Sequence, residues 1–169
     1  MYNYYRIPQC PYFANMQAFP PNMDCYPKQA KASFPIPLRD YGPNPFAVDI
    51  EAAAKQNTAF RTALWTGKHL QLTLMSINVG EDIGLENHPN LDQFIRIEEG
   101  QGLVLMGDSK DRLDFQAQVY DDYIFIIPAG KWHNLINTGC KPIKLYSIYA
   151  PPQHPHGTVH QTKLEPPPL

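Results

Sequence analysis

The chain is predicted to be all-β, a sandwich or barrel preceded by one short helix. Two observations carry this. After a single helical stretch the apolar residues recur at period two through many short segments. Between those segments stand closely spaced turn signals: Gly67-Lys68, Gly100, Gly107-Asp108, Asp121-Asp122, Pro128-Ala-Gly130 and Thr138-Gly139. A third observation concerns chemistry. Glu86, His88 and Gln93 lie within Gly80–Gly100, and His133 closes the later segment PAGKWH. Ligands of this kind, brought together inside a small barrel, would hold a divalent metal.

Residues 1–45 differ from the rest. They contain nine of the 18 prolines together with Tyr2, Tyr4, Tyr5, Tyr12, Phe13, Phe19, Tyr26 and Phe34. Proline at that density excludes a helix or central strand, yet the aromatic content is unlike a disordered tail. Two readings stand: an extended arm lying on the barrel or on a partner subunit, or a tail that orders on contact. Asp49 as N-cap, Glu51 in the first turn and Ala52–Ala54 predict a helix over about 49–57. Strands are expected at Ala59–Thr66 and Leu70–Val79, then near 93–98, 101–107, 113–119, 123–127, 132–137 and 143–149. The barrel therefore spans 46–150, and 151–169 reads as an irregular Pro-rich tail.

Composition limits function more than it assigns it. The chain has 169 residues, a mass of 19.2 kDa and a net charge of −2, which fits one domain with appendages. Scattered charges and the lack of any Lys/Arg run predict no nucleic-acid or anionic-membrane partner. No apolar run approaches the ~18–20 residues of a membrane span. The start MYNYYRIPQC has no basic patch followed by an apolar core. Cys10, Cys25 and Cys140 lack CxxC spacing, so reduced thiols in a cytoplasmic protein are expected, with a Cys10–Cys25 link left open.

Glu86 and His88 are two apart and share a face on an extended chain. Pro89-Asn90 suggests a turn, after which Gln93, Ile95 and Ile97 share a face. If the turn folds that strand against the first, Gln93 returns toward Glu86 and His88. Pro128 and Gly130 would make a tight turn that sends the His133 ring into a barrel.

In spacing, the chain resembles the cupin superfamily, whose first motif is G-x5-H-x-H-x(3,4)-E-x6-G and whose second is G-x5-P-x-G-x2-H-x3-N. Gly80, Glu86, His88, Gln93 and Gly100 keep the first spacing. Pro128, Gly130, His133 and Asn137 keep the second, with Asp122 at the opening glycine. The resemblance covers about 70–150 and implies a double-stranded β-helix, or jelly-roll barrel. By position it implies metal ligation by Glu86, His88, Gln93 and His133. Glu replaces the usual first histidine and Gln the usual glutamate, so one carboxylate is kept in a new place. Two imidazoles and a carboxylate suit Fe(II) and accept Mn, Co, Ni or Zn. The resemblance further implies a small-molecule ligand and a homodimer. The function it implies is a metal-binding cupin acting on a polar or sugar-like molecule, similar to sugar-phosphate isomerases. The alternatives are a non-haem Fe(II) dioxygenase and a non-catalytic sugar or small-molecule binding module. No catalytic residue is assigned.

The remaining candidates have plainer expectations. His154, His156 and His160 are expected at the surface or barrel mouth rather than in a second metal cluster. Arg96 is expected to pair with Glu98 and Glu99 at the surface. Trp132 should point away from the His133 face, and Ile95, Ile97 and Leu105 should line the barrel. The register of Tyr146 and Tyr149 is open, and Asn134 and Asn137 fit turn and cap roles.

Overall fold

The structure is a computed structural model, and its described residues are 35–163. The expectations for residues 1–34, including the Cys10–Cys25 link, fall outside them. One helix, α1 (Ile50–Gln56), precedes the strands, and Asp49 caps it by accepting from Ala52 N at 3.2 Å. Ten strands follow: β1 (Arg61–Thr66), β2 (Gln71–Ile77), β3 (Glu86–Asn87), β4 (Asp92–Glu99) and β5 (Gly102–Gly107). The others are β6 (Phe115–Val119), β7 (Ile124–Ile127), β8 (Trp132–Asn137), β9 (Ile143–Ala150) and β10 (Val159–His160). All pairings are antiparallel, giving a six-stranded sheet ordered β10-β1-β2-β9-β4-β7 and a four-stranded sheet ordered β3-β8-β5-β6. The double-stranded β-helix expected from the motifs is the fold observed.

Two strands escape the period-two pattern because each is only two residues long. β10 belongs to the stretch read from sequence as an irregular tail; it closes the β1 edge, with Arg61 opposite His160. β3 pairs with β8, not with the strand that follows it in sequence. The expectation that Pro89-Asn90 folds Gln93's strand back onto the first is therefore corrected: that turn carries the chain from one sheet to the other. Glu86 and Gln93 therefore stand on different sheets.

Alternation sorts the side chains into two cores. Met75, Ile95, Ile97, Val104, Phe125, Leu135 and Leu145 fill the space between the sheets. Leu64 and Leu74 point the other way, against Ala53 and Ala54 of α1, with Ile36, Tyr41 and Phe46 packed around them. The buried Asp40 carboxylate fastens this outer layer by accepting from Thr66 N, Gly42 N and Gly157 N, each at 2.9 Å. The expected inward position of Leu105 is wrong by one residue. Gly102, Val104 and Met106 face the interior, and Leu105 lies half-buried on the outer side.

Candidate metal centre

Glu86 stands directly opposite His133 in the β3–β8 pair, so both side chains leave the same face. His88 follows one residue beyond β3. The two motifs are tied through their backbones: Gly130 N donates to His88 O at 2.9 Å, and Asn87 Nδ2 to Gly130 O at 2.6 Å. Gly130 has φ +81, the left-handed conformation that lets the Pro128 turn close tightly enough for this contact. The position where the motif opens with glycine is Asp122, and its φ is +70. An aspartate tolerates that region better than most residues do.

The Glu86 Oε1 atom lies 3.4 Å from both His88 Nε2 and His133 Nε2. One ligand atom from each of the three residues falls within 4.8 Å of the others. His133 Nδ1 sits 3.0 Å from Lys131 O; with an ion bound, an Nδ1–H donating there would free the Nε2 lone pair for the cluster. Burial alone would raise the Glu86 carboxyl, but His133 and His88 beside it, helped by the Arg61 charge, hold it down at about 2. Gln93 enters from the other sheet, with its Nε2 donating to Ser147 Oγ at 2.9 Å. That bond leaves the Gln93 Oε1 buried and free to accept or ligate. Tyr149, fully buried and opposite Gln93 in the β4–β9 pair, packs edge-on against His88 at 5.8 Å.

Among the described residues, ten buried side-chain N and O atoms lack a hydrogen-bond partner. Eight belong to this interior: on Arg61, Thr73, Glu86, His88, Gln93, His133, Tyr149 and His154. Folded domains leave few such atoms, and those they leave call for an explanation. Lone pairs converging from two imidazoles and a carboxylate are explained by a cation placed among them. The residues present therefore fit a divalent metal.

The motif resemblance is matched by a family model: residues 73–149 fit the family described as "Cupin domain", a span that includes both motifs and all four candidate ligands. The chain belongs to the cupin superfamily. This cupin is 68% identical over 128 residues to the uncharacterised protein YrkC of Bacillus subtilis, covering 76% of this chain and 69% of that one. It is 38% identical over 115 residues to an uncharacterised protein of Acanthamoeba polyphaga mimivirus, covering 68% and 70%. A Bacillus halodurans protein of known crystal structure is 70% identical with a TM-score of 0.74, covering 74% of this cupin and 95% of that chain.

The remaining sequence candidates separate. His156 turns outward to Asp40, with 3.4 Å between Nε2 and Oδ1. His154 packs edge-on against Tyr149 at 5.2 Å and against His160 at 6.3 Å. Gln71 fixes His154 there: its Oε1 accepts His154 N at 2.9 Å and its Nε2 donates to His154 O at 2.8 Å. Arg96 pairs with Glu98 at 3.1 Å as expected, but its second partner is Asp122 at 2.7 Å. Glu99 pairs instead with Lys141. Asn137 takes the expected turn role, donating to Ile77 O and Lys141 O and accepting from Gly139 N, each at 2.9 Å. Sequence reasoning passed over Arg61, Thr73 and Ser147. Their signal was present in the alternation, since a polar residue on the inward face of a strand is out of pattern.

Proposed function

We propose that this cupin holds one divalent metal ion on Glu86, His88 and His133, with the Gln93 amide oxygen as a fourth ligand, and acts with it on a small polar molecule. The observation that carries this reading is the convergence of the three ligand atoms within 4.8 Å of one another, with no partner outside the cluster for any of them. A bound ion would supply Lewis-acid polarisation of a substrate oxygen or, if it were iron, O₂ chemistry. The protein's own residues do the rest. Lys131 O orients the His133 ring, Ser147 orients the Gln93 amide, and Tyr149 backs the His88 ring.

Two reaction classes fit. A sugar-phosphate isomerase-like reaction needs a base to move a proton between carbons. Glu86 is the one carboxylate in the cluster of described residues, and ligation would occupy it. That feature favours the second class, an Fe(II) dioxygenase, for which two histidines and one carboxylate suffice.

The deciding measurement is metal analysis of the chain purified without added metal. We expect close to one ion per chain, and the His88→Ala and His133→Ala variants should retain ~10-fold less or lower still. Unchanged metal content in either variant would defeat the site. Iron accompanied by oxygen uptake selects the dioxygenase; manganese, nickel, cobalt or zinc without uptake selects the isomerase-like reaction. A metal-free chain that still binds sugars or other small polar molecules would be a non-catalytic binding module.

A further inference from the structure

The interior holds a second feature that metal ligation leaves unexplained. Arg61, on β1, faces the barrel: it stands opposite Met75 of the inner core and is only 7% exposed. A buried guanidinium presents five donors and carries a full charge, so it calls for acceptors. The acceptor found for Arg61 is a weak one, the Met75 sulfur 3.9 Å from Nη2. Its Nε is buried without a partner, and the Phe60 ring lies 5.4 Å from Cζ. Among the described residues no carboxylate forms a contact ion pair with it, although Glu86 is near enough to feel its charge. The buried Tyr149 hydroxyl lies beside both Arg61 and Ser147 and interacts with each, but forms a well-shaped hydrogen bond with neither. On the adjacent strand the Thr73 hydroxyl is in the same condition.

We propose that Arg61 and the Tyr149 hydroxyl receive the carboxylate of a small carboxylic-acid substrate inside the barrel, facing the metal ligands. A guanidinium offers two parallel N–H donors whose spacing matches the two oxygens of one carboxylate, and a neighbouring hydroxyl adds a third donor. The charge balance favours a carboxylate over a phosphate. No described lysine is buried, so a phosphate dianion would have one guanidinium to face. Tyr149 joins the two sites, since its ring packs against His88 while its hydroxyl lies toward Arg61. A substrate anchored by its carboxylate would thus present its adjacent carbons to Glu86, His88 and His133. This inference deepens the metal-dependent reading and rests on it for its chemistry, though the anion site stands without the ion.

The test titrates the full chain with acetate, with inorganic phosphate and with chloride at matched ionic strength, both as purified and after chelation. Thermal shift and the NMR signal of the Arg61 Nε–Hε group are read. Acetate should raise the melting temperature in both forms and move the Arg61 signal, whereas phosphate should act no more strongly than chloride. Arg61→Gln should lose the acetate response while keeping the wild-type metal content. Arg61→Lys keeps the charge but loses the fork, and should bind acetate at least about tenfold more weakly. Wild-type protein indifferent to acetate, or Arg61→Gln still responding to it, overturns the proposal; a response to phosphate alone overturns the carboxylate assignment. Should Arg61→Gln fail to fold, the Arg61 signal in the wild-type titration decides. An acetate response in a chain that retains no metal would sink the metal reading and leave this site standing.

Discussion

Glu86 and His154 are two titrating groups with opposite responses to the same interior. The Glu86 carboxyl lies at about 2, below its usual 4.5, because the two imidazoles and Arg61 outweigh burial. A depressed acid stabilises the fold fully above about 4.5 and loses that contribution as pH falls toward 2. The contribution is on the order of 3 kcal/mol in the chelated protein. His154 is pushed down from 6.5 to about 4, chiefly by burial and then by Arg61. The unfolded chain takes up that proton first, so stability declines as pH falls from 6.5 to 4. Chemical denaturation of metal-free protein should therefore show two acid limbs. His154→Gln should flatten the upper limb and Glu86→Gln the lower. A profile that neither substitution alters would contradict both assignments.

Turns at the scale of single elements decide where the ligands arrive. The Pro128–Gly130 turn is held to His88 and Asn87, so the element carrying His133 cannot move independently of the one carrying Glu86. The turn before β7 depends on Asp122 at φ +70, where a β-branched side chain is disfavoured. Asp122→Val should destabilise the chain by about 1–2 kcal/mol, while Asp122→Gly should be neutral or slightly stabilising. Both substitutions also remove the carboxylate that pairs with Arg96, but that ion pair is at the surface and should contribute little. Equilibrium unfolding of the two variants checks this, and equal destabilisation by both would point to the ion pair instead. At this scale the sequence was informative wherever a strand ran long enough to alternate, as in β4, β8 and β9. It was silent on β3 and β10, since two residues carry no period.

On the scale of the whole molecule, β7 is the edge strand of the six-stranded sheet among the described residues and presents Ile124 and Ile126, each more than half exposed. Ile126, Phe94, Ile148 and Leu72 stand side by side across the outer face of that sheet. An apolar row ending on an edge strand is a surface suited to association. Light scattering should give twice the 19.2 kDa chain mass, and Ile124→Lys with Ile126→Lys should lower it to one chain. A wild-type mass of one chain would refute the homodimer. By itself the sequence determined the strand pattern, the motif spacing and the four candidate ligands, because alternation and glycine punctuation are local constraints written residue by residue. Tertiary structure alone decided that Gln93 and Glu86 lie on different sheets, that Tyr149 faces inward, and that Arg61 is buried near it with no ion pair among the described residues. Those facts depend on which strands pair and on which face each side chain leaves. They are set by the closure of two sheets around one core, and no short stretch of sequence contains that information.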